Sequence, residues 1–468
     1  MNLRIKSFFR AALAMFFFIP APAKAQAADS VPDVRSLSIY QIMVAPYLHA
    51  PDGAPGYKAI WGPEGHRTDG NLRGVISALE HIKDLGMNAV WLTPVFDSTG
   101  GLGGERLQAT GYFATDYFDI DPKFGTKEDF RELVEEAHKR GLYVILDGVF
   151  GHHGGISRPS PQGHRIRTVE GAPNGRPNPG EWGNVSFPAS LDYFKDVISY
   201  WMEEFGVDGW RLDQSYQVNQ DGHNYWHDLR LHTERVAADR RARGEQWGTL
   251  GYMVGEDWGD PSVITSTLGD GLRSVFDFQG RNAILRDVAE GVELVARPPY
   301  ARGYEMFVTP NLFASNHDMD RVADVVPDSL VTAVHAAVAS YSGPVTLYYN
   351  EEWADRSGQG QPDNRSRTSG RLLPANDRER HVHEYVRSLY NIRASCPAMW
   401  RGVPTVTRSG GATLLHKEDP VSGQRILIVF GPEGEKVELP APARDLVTGK
   451  SHKKSVVLGP DPAILEIK

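Results

Sequence analysis

One stretch of the sequence, GVDGWRLD at residues 206–213, contains a helix stop, a short strand and a carboxylate in direct succession. The preceding residues 190–205 have the apolar spacing of an amphipathic helix, and Gly206 is a typical residue to end it. Residues 209–213 then predict a strand that ends on Asp213. Helix, glycine, strand and terminal carboxylate in this order are typical of a barrel in which functional side chains follow the strands.

The same alternation of strand and helix extends to both sides of this stretch. Short β-branched or aromatic runs alternate with amphipathic segments such as residues 126–140, which predicts βα units and a parallel sheet. The strand-like runs are residues 38–44, 89–94, 143–150, 209–213, 252–256, 273–278, 305–314 and 345–350. Since a closed barrel requires eight strands, we predict an α/β fold of the (β/α)8 TIM-barrel type.

Two regions depart from this alternation. Residues 151–189 are rich in Gly, Pro, His and Arg without periodicity, and we expect this long excursion after the third strand to be functional. Residues 402–468 contain short strand-like runs and no helical pattern, which predicts a small antiparallel β-sandwich. The expected domains are a barrel at residues 26–401, which includes the excursion, and a β domain at residues 402–468.

Residues 1–25 have the pattern of a secretory signal peptide. Arg4, Lys6 and Arg10 precede an apolar run at residues 11–19, and Ala23-Lys24-Ala25 follows as a small-x-small cleavage pattern. The apolar run is too short for a membrane anchor, and no later segment is long and apolar enough, so no membrane span is expected in the mature protein. We therefore predict export, to the periplasm or to the medium.

The charge and cysteine content exclude several classes of partner and site. The formal net charge is −9, and loss of residues 1–25 would remove four positive charges and no acid. Such a surface argues against nucleic acid and anionic membrane as partners, since both require basic patches. Cys396 is the single cysteine and therefore permits neither an internal disulfide nor a cysteine-based metal cluster. The oligomeric state is not predicted.

Four carboxylates are predicted at or just beyond the carboxyl ends of strands, where barrel enzymes assemble their sites: Asp147, Asp213, Glu256 and Asp318. Crowding of such acids separates their pKa values, so that one is ionised while another is protonated near neutral pH. Glycoside hydrolysis requires this division of roles. Arg211 lies two residues before Asp213, on the same strand face, where it could keep Asp213 ionised.

His223 and His227 have an i, i+4 spacing, which on a helix would place both on one face as in some metal sites. No third ligand is evident from the sequence. The alternatives are an outer sugar subsite, together with Tyr225 and Trp226, or no functional role.

Ten segments resemble, in order, the conserved blocks of the α-amylase family, glycoside hydrolase family 13. The resemblance extends over about residues 38–402. The segments are residues 86–94 for the second strand, 111–112, 116–117 and 120–126 for the loop that follows, 147–152 for the third strand, 206–213 for the nucleophile block, 255–258 for the acid/base block, 316–318 for the seventh strand, and 347–351 and 362–365 for the eighth-strand region.

The resemblance implies a role for each matching residue. Asp213 would be the nucleophile, Glu256 the acid/base, and Asp318 the carboxylate that stabilises the transition state. The implied substrate-binding residues are Tyr112, which would stack on the sugar ring, His152, Arg211 and His317, which would line the subsite of the attacked glucose, and Asp116 and Asp147 just outside it. The excursion at residues 151–189 would be a reduced domain B. Trp258, beside Glu256, is a candidate for sugar stacking from its position alone. His152 and His317 are expected to donate to sugar hydroxyls.

The chain departs from the family pattern at three places. Gly151 stands where the family has an Asn that binds a calcium ion between barrel and domain B, so calcium would need substitute oxygen ligands and no cofactor is expected to be required. After the nucleophile, residues 214–217 (QSYQ) lack the Lys and His that contact leaving-group sugars in many α-amylases. Asn350 stands where Gly is usual.

The predicted function is retaining hydrolysis of α-glucosidic bonds in α-glucans or malto-oligosaccharides through a covalent glucosyl-enzyme. A transglycosylase or sucrose-type isomerase would use the same residues, and no motif separates it from a hydrolase. A non-catalytic α-glucan-binding protein is the second alternative, although such proteins usually lack one of the three acids. The sequence does not indicate bond type or chain-length preference.

Overall fold

Seven parallel strands form one curled sheet in the computed structural model, which describes residues 31–59, 66–101, 104–156, 158–168, 183–261, 264, 270–357 and 367–468. The strands follow one another in the sheet in the order β11 (Tyr252–Gly255), β8 (Gly209–Leu212), β5 (Tyr143–Gly148), β2 (Ala89–Leu92), β1 (Ser38–Ile42), β13 (Val345–Tyr348) and β12 (Leu312–Phe313), and each neighbouring pair is parallel. Neighbouring strands in the sheet therefore follow one another in the chain, and the last strand, β13, lies beside the first, β1, as in a barrel. The predicted TIM-barrel fold is confirmed.

The described strands are β1 Ser38–Ile42, β2 Ala89–Leu92, β3 Phe96–Asp97, β4 Asp116–Ile120, β5 Tyr143–Gly148, β6 His152–His153, β7 Gly183–Asn184, β8 Gly209–Leu212, β9 Asn219–Gln220, β10 His223–Asn224, β11 Tyr252–Gly255, β12 Leu312–Phe313, β13 Val345–Tyr348, β14 Val403–Ser409, β15 Ala412–Glu418, β16 Arg425–Phe430, β17 Lys436–Glu438, β18 Ala443–Asp445, β19 Ser451–His452, β20 Ser455–Val457 and β21 Ala463–Ile467. The described α-helices are α1 Leu72–Asp84, α2 Gly104–Gln108, α3 Lys127–Lys139, α4 Leu191–Phe205, α5 Trp226–Ala242, α6 Phe278–Arg286, α7 Val288–Val295, α8 Val322–Val325, α9 Asp328–Ala339, α10 Asp377–Ser395 and α11 Pro397–Arg401. Short 3-10 helices lie at Val34–Ser36, Ser215–Val218, Pro299–Arg302 and Glu351–Trp353.

The sixth predicted strand, residues 273–278, is not a regular strand, and this prediction was wrong in extent. Val275 forms a single parallel bridge with Gly255, and Phe276 forms one with Asn311. These bridges still occupy the sixth position, between β11 and the segment before β12. The seventh strand is likewise shorter than predicted, Leu312–Phe313, because Pro310 has no N–H to donate to a ladder.

The helices around the sheet are positioned by the signals that the sequence carries. Helix α4 ends at Gly206, whose φ of 76° lies in the left-handed region, so the predicted helix stop is confirmed. Helix α3 begins after Thr126, whose side chain accepts from the backbone N–H of Asp129 in a capping box. Its buried residues are the predicted apolar face, Phe130, Leu133, Val134 and Ala137.

Short pairings join distant parts of the excursion after the third barrel strand to each other. β6 pairs antiparallel with β7, and Thr168 bridges Val185. Residues 157 and 169–182 of this excursion lie outside the described residues. The same holds for the predicted signal peptide at residues 1–25 and for the block at residues 362–365.

The C-terminal region forms a six-stranded sheet of order β14-β15-β16-β21-β18-β19 and a two-stranded sheet, β17-β20. Apolar side chains of both sheets, among them Leu427, Val429, Val437 and Val456, share one core. The residues of strand β14 alternate between exposed and half-buried, so this strand does not contribute to the core.

A buried lysine joins this sheet to the barrel. Lys417 of β15 donates its ammonium to the backbone carbonyls of Ser340, after α9, and Met399, in α11. Burial lowers the pKa of Lys417 well below the ordinary lysine value.

Among the described residues no helix is long and apolar enough to span a bilayer.

Candidate active site

Two of the predicted catalytic carboxylates, Asp213 and Glu256, lie together with Asp147, predicted as a substrate-binding residue, at the carboxyl ends of the barrel strands. Asp147 belongs to β5, Asp213 directly follows β8, and Glu256 directly follows β11. These three strands are neighbours in the sheet. Each side chain is buried, so the carboxylates depend on protein groups for their hydrogen bonds.

Arg211 is the cation that these three carboxylates share. Its Nη1 donates to Asp147 Oδ1 at 2.8 Å and to Asp213 Oδ1 at 2.9 Å, and its Nη2 lies 2.9 Å from Glu256 Oε2. The guanidinium also lies over the ring of Trp91, at 5.2 Å from its centroid. Because a planar guanidinium presents several donors in a fixed arrangement, one side chain can set the mutual positions of three acids.

Asp213 has one engaged and one unengaged carboxylate oxygen. Oδ1 accepts from Arg211, whereas Oδ2 is buried and has no hydrogen-bond donor among the described residues. Burial raises the pKa of Asp213 well above the ordinary aspartate value; Arg211 opposes this rise, and the carboxylates of Glu256 and Asp147 add to it. Asp213 Oδ2 is therefore an oxygen that is free to react.

Asp147 is more fully hydrogen-bonded than Asp213. Its Oδ2 accepts from the indole N–H of Trp91 at 3.1 Å and from the hydroxyl of Tyr112 at 2.9 Å. Burial raises the pKa of Asp147 to about 6, against the opposing effect of Arg211. Asp147 thus accepts hydrogen bonds from three protein donors, those of Arg211, Trp91 and Tyr112. It is placed to orient Arg211 and Tyr112.

Glu256 receives two donors in addition to Arg211. The indole N–H of Trp258 donates to Oε1 at 2.8 Å, and the backbone N–H of Gln214 donates to Oε2 at 3.2 Å. Gln214 has a φ of 40°, in the left-handed region that residues other than glycine adopt at a cost of order 1 kcal/mol. The strained turn after the nucleophile strand thus directs a backbone donor at the acid on the next strand.

His317 and Tyr112 form a stacked pair beside Arg211, whose guanidinium lies 5.7 Å from the centroid of the Tyr112 ring. Their rings lie 5.3 Å apart with an interplanar angle of 5°, and Tyr112 Oη lies 2.8 Å from His317 Nε2. Gln41 Nε2 lies 2.8 Å from His317 Nδ1. Burial, with the cations Arg211 and Arg367, lowers the pKa of His317 well below the ordinary value, so the ring is neutral at neutral pH.

Asp318 lies at the edge of the group. Its Oδ2 is 3.2 Å from His317 Nε2, its Oδ1 is 3.4 Å from Arg367 Nη2, and about a third of its side chain (35%) is exposed. An exposed carboxylate beside buried ones is accessible to the hydroxyl groups of a bound sugar.

His152 completes the group on the side of the excursion. Its Nε2 lies 3.9 Å from Asp213 Oδ2, and its Nδ1 lies 3.0 Å from Oε1 of Gln217. Burial lowers the pKa of His152 below the ordinary histidine value. The ring is therefore neutral at neutral pH.

Two predicted features lie apart from this group. Asp116 is in β4, where its carboxylate accepts from the backbone N–H of Phe118 and lies 3.5 Å from Arg158.

His223 lies in β10 and pairs with Asp228, whereas His227 lies in α5 and pairs with Asp270. The two histidines therefore do not share one helix face. Among the described residues no cluster of three or more His, Cys, Asp or Glu side chains could hold a metal.

Sequence reasoning missed several residues that contact the acids or the histidines beside them. Trp91 and Gln41 lie in β2 and β1 and point into the barrel, and Gln214 and Gln217 belong to the turn after β8. The available signal for Gln41 was a polar residue inside an otherwise apolar strand, which requires a partner when it is buried.

The residues present do not fit the calcium site that the resemblance implies. Gly151 offers no side-chain oxygen, and the place where its Cβ would project is filled by Gln217, whose Oε1 would lie 2.1 Å from that Cβ. Calcium requires six to eight oxygen ligands, and one of the expected ligands is thus missing both chemically and sterically.

A groove lined by Trp258, Asn282 and Arg286 adjoins Glu256 through Trp258. It contains two open cavities, of about 440 and about 370 Å³, and both are lined by Trp258, Asn282 and Arg286; the second also reaches Asp318. Trp258 stacks on Phe278 with ring centroids 4.9 Å apart, and 54% of its surface is exposed. An exposed aromatic ring beside an acid is suited to contact the apolar face of a sugar.

Comparison with known proteins agrees with this geometry. The family model described as alpha amylase, catalytic domain, matches residues 50–158. A cyclomaltodextrinase of Geobacillus thermopakistaniensis (strain MAS1) is 25% identical over 87% of this chain and 71% of its own length. A maltogenic alpha-amylase of Bacillus acidopullulyticus is 25% identical over 92% of this chain and 75% of its own length. The crystal structure of AmyP in complex with maltose is similar with a TM-score of 0.78 and 32% identity, over 93% of this chain and 97% of that chain.

Proposed function

This chain belongs to the α-amylase family and is a glycoside hydrolase, and from this premise we propose that it cleaves α-glucosidic bonds in malto-oligosaccharides or related α-glucans with retention of configuration. The observation that carries the proposal is the position of Asp213 and Glu256 on neighbouring strands, in contact with one guanidinium. Retaining glycosidases require two carboxyl groups at about 5 Å, one as nucleophile and one as acid and base.

The geometry supports a distinct role for each acid. Asp213 attacks the anomeric carbon through Oδ2, the oxygen without a donor, and forms an ester while the bond to the leaving oxygen breaks. Glu256 gives its proton to that leaving oxygen. In the second half of the reaction Glu256 takes a proton from water, the water oxygen bonds to the anomeric carbon, and Asp213 leaves as a carboxylate.

The remaining residues bind the sugar. Asp318 accepts from sugar hydroxyls at the exposed edge, His152 and His317 contact hydroxyls on either side, and Tyr112 presents its ring to the attacked glucose. Trp258 and the groove beyond it receive the leaving-group sugars. Support for a maltose-type ligand comes from the similarity to AmyP, which was solved with maltose.

Product analysis tests the proposal. The wild-type protein and its Asp213→Asn variant are incubated with starch, maltotriose, isomaltotriose and sucrose, and the anomer first released is followed by proton NMR. We expect cleavage by the wild type alone, with the α anomer as first product. Longer or isomerised products would instead indicate transfer to a sugar. Absence of turnover on every substrate, with sugar binding retained, would support the non-catalytic alternative and contradict the proposal.

We also infer that the protein is exported, since residues 1–25 carry the basic start, apolar run and cleavage pattern of a signal peptide. Amino-terminal sequencing of the protein recovered from fractionated cells and from the medium tests this. A mature chain that begins near residue 26 is expected, whereas an intact amino terminus in the cytoplasm would contradict export.

A further inference from the structure

Two departures from the family pattern, Gly151 and Gln217, lie against each other in the structure although they are 66 residues apart in the sequence. A Cβ on Gly151 would lie 2.1 Å from Oε1 and 2.5 Å from Cβ of Gln217. Both distances are far below van der Waals contact. Gln217 is buried, with 8% of its surface exposed, so its side chain occupies the space that a side chain at residue 151 would need.

The amide of Gln217 has a defined orientation. Its Nε2 donates to Oε1 of Gln214 at 3.0 Å, and the same oxygen of Gln214 accepts from the Tyr216 hydroxyl at 2.7 Å. With Nε2 used in this way, the carbonyl oxygen of Gln217 faces Nδ1 of His152 at 3.0 Å.

This orientation determines which nitrogen of His152 carries the hydrogen. A carbonyl oxygen can only accept, so Nδ1 of His152 must be the donor, and a neutral imidazole carries a single N–H. Nε2, which lies 3.9 Å from Asp213 Oδ2, is then the ring nitrogen without a hydrogen. A sugar hydroxyl that lies beside Nε2 can donate its single hydrogen to it. His152 is therefore an acceptor and not the donor that its sequence context suggests.

We propose that Gln217 is a positioning residue for His152 and acts through the hydrogen bond between its Oε1 and Nδ1 of the ring. It fills the space beside Gly151, fixes the ring of His152 and sets its tautomer, so that Nε2 accepts from the substrate next to Asp213. The proposal deepens the function proposed above and rests on it for the part that concerns turnover.

A double-mutant cycle tests whether Gln217 acts through His152. Values of kcat and KM are measured for the wild type, Gln217→Leu, Gln217→Glu, His152→Ala and the double variant Gln217→Leu/His152→Ala. Leu keeps the volume but removes the acceptor, and we expect kcat/KM to fall roughly tenfold, the loss of about one hydrogen bond. Glu keeps the acceptor and should remain within a few fold of the wild type. The double variant should be no worse than His152→Ala, because the two residues form one unit. Additive losses, or full activity of Gln217→Leu, would overturn the proposal.

A second measurement does not depend on activity and is read on the wild-type protein. Nitrogen NMR of the wild-type protein labelled at histidine, with His152 assigned by its loss in His152→Ala, reports which ring nitrogen is protonated. We expect protonation at Nδ1, unchanged after treatment with EDTA and after addition of calcium. Protonation at Nε2, or a ring signal that EDTA alters and calcium restores, would overturn the proposal. If no substrate is turned over while the Nδ1 tautomer is observed, the proposed function fails and the positioning of His152 by Gln217 stands.

Discussion

Trp258 donates its indole N–H to Oε1 of Glu256, two residues before it, over a distance of 2.8 Å. The same ring lines both cavities of the groove. One side chain thus contacts the proposed acid/base through its polar edge and the proposed leaving-group sugars through its face. Two substitutions can separate these contacts, since phenylalanine keeps the ring and lacks the N–H.

We expect Trp258→Phe to lower kcat with little change in KM, because only the donor to Glu256 is lost. Trp258→Ala should in addition raise KM for oligosaccharides by roughly five- to tenfold, the usual value of an aromatic contact. Steady-state kinetics on maltotriose and longer oligomers measure both. Tyr300→Ala, which removes an exposed aromatic residue in the 3-10 helix Pro299–Arg302, serves as control. Equal KM values for the two Trp258 variants would contradict a role in sugar binding.

Asp147→Asn should move the acid limb of the kcat/KM profile to lower pH. The carboxylate of Asp147 raises the pKa of Asp213, so its removal lowers that pKa and keeps the nucleophile ionised in more acid solution. The acid limb moves to lower pH because it reports protonation of Asp213, the group that must be ionised for attack. Profiles of the variant and of Asp377→Asn, a control at a fully exposed position, are compared. A limb that moves to higher pH would contradict the arrangement.

Arg211→Lys should lower kcat/KM on the order of a hundredfold or more, although the charge is kept. A compact ammonium cannot reach Asp147, Asp213 and Glu256 together as the planar guanidinium does. Addition of Asp147→Asn should restore part of the loss, because one fewer anion then needs the cation. A double variant less active than Arg211→Lys alone would show that the shared contact does not limit activity.

Lys417→Met should lower the free energy of unfolding by about 1–3 kcal/mol without loss of activity at 25 °C. The carbonyls of Ser340 and Met399 would lose a buried donor at the junction of barrel and C-terminal sheet. Urea unfolding measures the effect, and Lys436→Met, at an exposed lysine of the same region, is the control. Equal stability of the two variants would mean that the junction does not depend on Lys417.

Local signals in the sequence were sufficient for much of the barrel. Gly206 ends α4 as expected, and the four apolar positions predicted for α3 are its buried residues. The contact between Arg211 and Asp213 also follows from sequence alone, since alternate residues of a strand face the same side. The lengths of the sixth and seventh strands could not be predicted from these signals, because they depend on one proline and on two isolated bridges.

The contacts around the acids could be predicted less well than the acids themselves. The partners of His317 and His152, Gln41 and Gln217, lie 276 and 65 residues away from them in the sequence. No spacing rule connects such positions, and each amide is recognisable only once the strands are placed side by side. From the sequence, Gly151 indicated only that the Asn side chain of the family is missing. The structure shows that the side chain of Gln217 fills the space.

The guanidinium of Arg211 also has a consequence for how charge moves during turnover. Before cleavage the proposed roles place negative charges on Asp147 and Asp213 and a proton on Glu256. Formation of the ester removes the charge of Asp213, and departure of the proton creates one on Glu256 in the same step. Since both carboxylates contact Arg211, the charge is exchanged between two partners of one cation and the total around it is conserved. The buried group therefore passes through the first half of the reaction without taking up or releasing an ion from solvent.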